Sequence, residues 1–337
     1  MKKVLVSGYI GFNNFGDEAI FYSLSSHLKE LDFDVSVLCA NKEIVEEKYD
    51  VKTYHYKKPL EILKAISNCN ILISGGGSLL QNKTSNFSLF YYLSIILLAK
   101  ILKKKVIIFA QGIEPILGEI PVKITKNILK LVDYITVRDE NSKNLLTSWG
   151  IDSTLVSDPA YSLVQDRPLN NFKNDLIVQL RNFKGMDEKF IKTLAFSIAK
   201  KYNKKVRVFS FQDEIDEKIC LDFIKELKKH SINAKYISAK SIQETIKIID
   251  ETQFVISTRL HGLIISNALK SKTLGICYDN KVKTLVDELN MDNININNYT
   301  EKEIDDKLDD FFKSATIKTN PYRRFEWWRI DKELKEN

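Results

Sequence analysis

The run Thr252-Gln253-Phe254-Val255-Ile256-Ser257-Thr258-Arg259-Leu260-His261-Gly262, continued by apolar residues to Asn267, decides the reading of the fold. Phe254-Val255-Ile256 has the composition of a buried strand and the residues after Gly262 that of a helix, so a cation, an imidazole and a glycine stand together at a strand's carboxyl end. In an open α/β sheet ligands bind at that edge, because strand-to-helix loops and the free N–H groups of helix N-termini converge there. Arg259 offers a planar fork to a carboxylate or phosphate, His261 can carry a proton near neutrality, and Gly262 lets backbone approach a ligand. Taken alone, an Arg-x-His favours a plainer reading, in which Arg259 makes a surface ion pair and His261 caps a helix.

The same alternation runs through the chain on both sides of this segment. Val4–Ser7 reads as a first strand, followed by the glycine-punctuated loop Gly8 to Glu18 and a helix beginning at or near Asp17, whose carboxylate would cap free N–H groups. Glycines at 8, 11 and 16 do not make G-x-G-x-x-G, so nicotinamide or flavin binding has little support. Val35–Leu38 is a second strand, and Ile71–Ser74, Val106–Ala110 and Tyr134–Val137 are further ones, ending in turn at Gly75-Gly76-Gly77-Ser78, Gln111-Gly112 and Arg138. A fold alone does not require glycine or arginine at four strand ends, whereas an anion site would use them. Asn14, Asp17, Gly76, Gly77 and Gln111 join Arg138 as cleft candidates. For Arg138 the plainer alternative is a salt bridge to Asp139, Glu140 or a neighbouring helix.

A polar run from Gln165 to Asn174 marks a linker, after which a second alternation begins at Leu176 and passes through strands at 206–209, 234–237, 253–256 and 273–276. The expected domains are 1–164, a linker 165–174, 175–320, and a C-terminal aromatic and basic tail 321–337. Two successive βαβ series predict an α/β protein of two Rossmann-like parallel-sheet domains facing across a cleft. Lys281, one strand beyond His261, could share its pocket or be an ordinary surface lysine. The other histidines, His27, His55 and His230, read as structural or solvated. The tail, with Arg323-Arg324-Phe325-Glu326-Trp327-Trp328-Arg329, suits either a helix packing back or an interfacial membrane anchor.

Composition excludes several classes. The 337 residues are 44% hydrophobic and 28% charged, globular values with room for two cores, and the net charge of +7 suits small anions or an anionic membrane face without demanding nucleic acid. Cys39, Cys69, Cys220 and Cys277 have no metal-ligand spacing, so no metal site or disulfide framework is indicated and a reduced, cytoplasmic setting is expected. Phe87 to Leu102 is lipid-like, but only 16 residues separate Lys83 from Lys100, short of the roughly 20 a spanning helix needs. A buried helix is predicted there.

With these pieces in order, the chain resembles the polysaccharide pyruvyltransferases, including the CsaB-type enzymes of bacterial cell-wall polymer synthesis. The resemblance rests on Gly8-Tyr9 with Asn14 to Ala19, Gly75 to Gln81, Gln111-Gly112-Ile113, Val137-Arg138-Asp139, Asp158-Pro159-Ala160, Leu180-Arg181-Asn182, Arg259-Leu260-His261-Gly262 and Tyr278 to Val282. Phe183 stands where many members have Trp and Asn280 where many have Pro, departures that touch pocket shape but not the charged set. The resemblance implies a GT-B-like fold and transfer of the enolpyruvyl carbons of phosphoenolpyruvate onto a sugar as a cyclic pyruvate ketal, with phosphoenolpyruvate as donor substrate and no cofactor. It implies that Arg138 and Arg259 bind the donor anion with Gly262 beside them, that His261 is the active-site histidine, and that Lys281 lies near a substrate phosphate. It further implies a lipid-linked or polymeric sugar acceptor, N-acetylmannosamine among them, with the inner face of the cell membrane as a candidate surface. Two other classes compete: a GT-B glycosyltransferase using a nucleotide sugar, and a non-catalytic scaffold of the same fold.

Overall fold

Val4, Leu5 and Val6 are at most 1% exposed, and so are Ile107, Ile108 and Phe109; strands apolar on both faces must be covered on both, which βαβ crossovers accomplish. The computed structural model describes residues 1–83, 85–168, 174–183, 185–238, 241–314 and 324–336. It forms two compact units, Met1–Leu163 with Arg324–Asn337, and Val164–Arg323. The C-terminal segment thus belongs with the first unit, and part of the expected linker, 169–173, lies outside the described residues.

The first unit holds strands β1 (Lys3–Ser7), β2 (Asp34–Cys39), β3 (Lys52–His55), β4 (Ile71–Gly75), β5 (Lys105–Gln111), β6 (Tyr134–Val137) and β7 (Thr154–Leu155). All pairs are parallel, in the order β3-β2-β1-β4-β5-β6-β7. Its helices are α1 (Phe15–Glu30), α2 (Lys42–Tyr49), α3 (Pro59–Asn68), α4 (Asn86–Ile101), α5 (Glu119–Leu129) and α6 (Glu140–Ser148). The second unit has β8 (Asn174–Gln179), β9 (Val206–Ser210), β10 (Ala234–Ser238), β11 (Thr252–Ser257), β12 (Lys272–Cys277) and β13 (Asp292–Asn295), parallel in the order β10-β9-β8-β11-β12-β13. Between them run α7 (Glu188–Lys201), α8 (Asp213–Lys229), α9 (Ile242–Asp250), α10 (Leu260–Ala268), α11 (Asn280–Glu288) and α12 (Glu301–Lys313). Each sheet therefore reverses direction beside its first strand, between β1 and β4 and between β8 and β11, and such a switch point opens a crevice at the strands' carboxyl ends.

A final helix, α13 (Trp328–Lys335), docks on the first unit. Trp327 stacks on His27 at 3.8 Å, Asp331 accepts from the His27 ring at 2.7 Å, and Phe325 meets Phe109 edge-on. These contacts settle the fate of His27 as a structural residue.

One local expectation needs correction, and three strands were not anticipated. Helix α1 starts at Phe15 rather than near Asp17, because Asn14 is the cap: its side chain accepts from the Gly16 N–H at 3.1 Å. Strand β3, inside the basic run around His55, was not anticipated, nor were β7 and β13. All three are sheet edges with polar sequences, where half the backbone faces solvent and the apolar signal fades.

Candidate active site

In the first unit the carboxyl ends of four neighbouring strands, β1, β4, β5 and β6, bring Asn14, Asp17, Gly76, Gly77, Gln111 and Arg138 to one edge. Gly76 and Gly77 have φ of +77° and +70°, a region that penalises a Cβ, and each is also crowded. A Cβ on Gly76 would lie 2.7 Å from Ile20, and one on Gly77 only 2.3 Å from the Asp17 carboxylate. The loops after β4 and β5 are tied by Gly112 N–H donating to the Gly77 carbonyl at 3.0 Å. Gln111, fully buried, donates from Nε2 to the Ser74 carbonyl and hydroxyl, both at 3.1 Å, while its buried Oε1 accepts no hydrogen bond.

Arg138 is firmly held at its strand tip, in a salt bridge of the kind the plainer reading allows but with a different partner. Its Nη1 donates to Asp158 at 2.8 Å and its Nη2 to the Ser78 hydroxyl at 3.2 Å, with the two charged side chains only 9% and 5% exposed. The partner is Asp158, twenty residues on, and not Asp139, whose carboxylate caps α6 by accepting from the Ser142 N–H at 2.8 Å. The guanidinium lies over Gly112, where a Cβ would come within 3.1 Å of Nε.

In the second unit the switch between β8 and β11 is built around buried Gln179. Its Oε1 accepts from the Ser257 hydroxyl at 2.8 Å and from the Arg259 N–H at 2.9 Å, which fixes the turn that delivers Arg259. The Arg259 side chain runs inward: Nη2 donates to Asp216 at 2.5 Å and to Gln212 at 3.4 Å, with Asp216 wholly buried. Asp216 also accepts from the Asn182 N–H at 3.0 Å, so one carboxylate joins the loop after β8 to the one after β11. The Nε of Arg259 is buried without a hydrogen-bond partner.

His261 is the second residue of α10 and partly buried, and Lys281 the second residue of α11. Because β11 and β12 are neighbours, the two lie on adjacent strand ends with Arg259. Gly262 also answers a packing need. A Cβ there would meet the Ser257 hydroxyl at 2.5 Å and Phe211 at 3.4 Å, so its bareness serves close packing of α10 on its own strand.

Arg181, at the end of β8, is a further cation of this edge that was not singled out as a site residue, although it stands after an apolar strand just as Arg138 does. Its Nη1 donates to the Tyr278 hydroxyl at 2.6 Å, and the Tyr278 ring stacks on Phe183 at 4.4 Å. Burial pushes the Tyr278 phenol upward, so the hydroxyl that accepts from Arg181 stays neutral. Asp158 and Asp216, which hold the two arginines, were also missed: an acidic residue early in a helix, such as Asp216, is explained by the helix dipole and so carries no signal. Burial raises the thiols too, Cys39 and Cys220 to about 12 and Cys69 and Cys277 to about 11, which leaves all four inert at neutral pH. No cluster of His, Cys, Asp and Glu suited to a metal occurs among the described residues.

The fold has well-populated company. The UDP-GlcNAc 2-epimerase of Neisseria meningitidis, bound to UDP-GlcNAc, superposes with a TM-score of 0.66 over 100% of both chains at 14% identity. The corresponding epimerase of Methanocaldococcus jannaschii gives 0.66 over 99% of each chain at 13% identity, and Acinetobacter baumannii MurG gives 0.55 over 93% of this chain and 91% of its own at 12% identity. At such identities the likeness establishes the fold, the GT-B-like pairing of two Rossmann-type domains, and nothing finer. No curated protein matches the sequence. The model of one family does match, over residues 14–280, a span that opens at the cap of α1, takes in both carboxyl edges with their buried arginines, and closes at Asn280; the chain is a transferase enzyme of the polysaccharide pyruvyl transferase family.

Proposed function

We propose that this pyruvyl transferase takes its three carbons from phosphoenolpyruvate and closes them on two hydroxyls of one sugar as a 4,6-ketal, releasing phosphate. The observation that carries the reading is Arg259, buried at the switch point of the second sheet with an unpaired Nε. Asp216 neutralises its charge locally, so Arg259 recognises an acceptor by directed N–H bonds more than by net charge. Arg181 and Lys281, on the flanking strand ends, supply further positive charge for the carboxylate and phosphate of the donor. Arg138, whose donors are engaged by Asp158 and Ser78, serves in this reading to shape the edge of the first unit around Gly112.

Chemically, a proton goes to the methylene carbon of the donor, leaving an oxocarbenium centre at the adjacent carbon. One sugar hydroxyl adds there and gives up its proton; the C–O bond to phosphate breaks; the second hydroxyl adds and loses its proton. Atoms balance with phosphate as the only other product. We assign the first proton to His261 and stabilisation of the leaving phosphate to Lys281 and Arg181. The acceptor in this reading is a sugar of a lipid-linked cell-wall precursor, N-acetylmannosamine by family resemblance. The test is phosphate release from phosphoenolpyruvate by the purified chain across a panel of sugar acceptors, followed by mass spectrometry of the product. A nucleotide sugar is the competing donor, because structural neighbours handle UDP-GlcNAc. Thermal stabilisation by UDP-GlcNAc but not by phosphoenolpyruvate would transfer the assignment to it.

A further inference from the structure

Helices α3, α4 and α5 lie side by side on one face of the first sheet, packed through Ala65, Ile66, Leu93, Ile96, Ile128 and Leu129. Their outward side is unlike the rest of the unit's surface. Of the eleven large apolar residues exposed in this unit among the described residues, eight lie on these helices or the turns beside them. The most exposed are Leu60 at 82%, Phe87 at 78% and Ile120 at 72%. Each is the second residue of its helix. Because each helix follows a parallel strand, all three helix starts fall at the sheet's carboxyl edge, the edge that also holds Gly76, Gly77 and Arg138. Asn82 joins two of them: it exchanges hydrogen bonds of 2.8 Å with the backbone of Leu117 and donates to Asn86 at 2.8 Å.

Two further features say what covers this face. Helix α4 has no charged residue between Lys83 and Lys100, so its outward stripe through Phe87, Ser94, Leu97 and Ile101 is uncharged even though it meets solvent. Around it the charge is one-sided. Segments 57–70, 82–105 and 114–133 hold eleven lysines against four acidic residues, an excess equal to the net +7 of the entire chain, which leaves the remainder balanced. Lys57, Lys58, Lys64, Lys103, Lys123 and Lys130 are exposed. Apolar residues ringed by lysines match a surface that offers hydrocarbon beneath anionic groups. No helix among the described residues is long and apolar enough to cross a membrane.

We propose that the outward face of α3, α4 and α5 docks the protein on an anionic phospholipid bilayer, with Leu60, Phe87 and Ile120 entering the headgroup region and the lysines pairing with lipid phosphates. This places membrane contact on the lipid-like segment already conspicuous in the sequence, and not on the C-terminal tail. On the reading of the acceptor as lipid-linked, the bilayer would present it at the edge where those helices start.

Vesicle flotation of the full chain tests the docking without any turnover, so it stands or falls separately from the pyruvyl-transfer reading. The wild type should float with phosphatidylglycerol-containing vesicles, far less with pure phosphatidylcholine, and less again at raised salt. The triple substitution Leu60→Ser/Phe87→Ser/Ile120→Ser should lower the bound fraction about tenfold or more while leaving the melting temperature and phosphate release with a water-soluble acceptor unchanged. Equal flotation of wild type and triple variant, or no flotation of the wild type, overturns the proposal. A wild-type dimer by light scattering that the triple variant splits would also overturn it, giving the face to a second copy of the chain.

Discussion

The two sheets share a strand order, and each carboxyl edge holds a buried arginine paired with an aspartate, yet the loops around those pairs are set by different means. The first is built on absence: Gly76 and Gly77 at positive φ, with Gly112 beneath a guanidinium, keep loops close enough that neighbouring side chains fill the space. The second is built on buried polarity: Gln179, Asp216 and Arg259 are each under a tenth exposed and hold the turns by side-chain hydrogen bonds. Where backbone must come close, glycine is the means; where a donor must be aimed, a neutralised arginine is. One topology thus supplies two kinds of edge, and topology alone does not say which edge performs chemistry.

The sharpest way to break this contrast is to remove the proton source from the second edge. His261→Gln keeps a hydrogen-bond donor but should lower turnover by about 10²- to 10⁴-fold, measured as phosphate release, with the fold retained by circular dichroism. Near-normal turnover would make His261 a binding residue and leave Lys281 as the next candidate acid.

A second test asks whether the arginines act as neutralised pairs. Asp216→Ala strands the Arg259 guanidinium in the interior and should cost about 3–5 kcal/mol by denaturant unfolding, and Asp158→Ala should do the same to Arg138. The double variant Asp216→Leu/Arg259→Met should recover most of the stability but no phosphoenolpyruvate affinity by titration calorimetry. For Asp158→Leu/Arg138→Met we expect both stability and much of the affinity to return. Loss of affinity in both doubles would give the two edges the same role.

The glycines allow a finer comparison. Gly77→Ala should cost about 1–3 kcal/mol from its backbone conformation in addition to its clash with Asp17, and shortening Asp17 to Ala should relieve the clash alone, because φ stays positive. Gly262→Ala clashes with a side chain and not with its own backbone angle, so Ser257→Ala should relieve the clash in thermal unfolding while giving up the Ser257–Gln179 hydrogen bond, for a partial rescue.

The smallest expected effect is electrostatic and belongs to the first unit. Glu61 Oε2 accepts from the His55 N–H at 2.7 Å and Oε1 lies 3.2 Å from the Lys58 ammonium, which together hold its carboxyl at about 2 against an ordinary 4.5. A lowered native value means that its stabilising contribution is complete above about pH 4.5 and fades as pH falls toward 2. Glu61→Gln should flatten that part of the acid limb in a melting-temperature profile, lowering stability at neutral pH and converging on the wild type as pH falls toward 2.

The central strands were legible because they are covered on both faces. Ile71-Leu72-Ile73 and Tyr134-Ile135-Thr136-Val137 read as strands from composition alone, as did the organising run at 253–256, and their order in the chain predicted two parallel sheets. Glycine and arginine at the strand ends could be read as a site for the same reason, since neither residue is needed there by a sheet. What the sequence by itself determined was therefore the periodic part: two βαβ series, the strand tips, and the family that their motifs spell out. Tertiary structure alone decided the partners. Nothing local links Arg138 to Asp158 or Arg259 to Asp216, 20 and 43 residues apart, because such pairs form only when loops from different strands meet in a low-dielectric interior. The same holds for Gly262, whose bareness answers Ser257 across a helix–strand contact, and for Leu60, Phe87 and Ile120, far apart in sequence and brought to one edge because each of their helices follows a parallel strand.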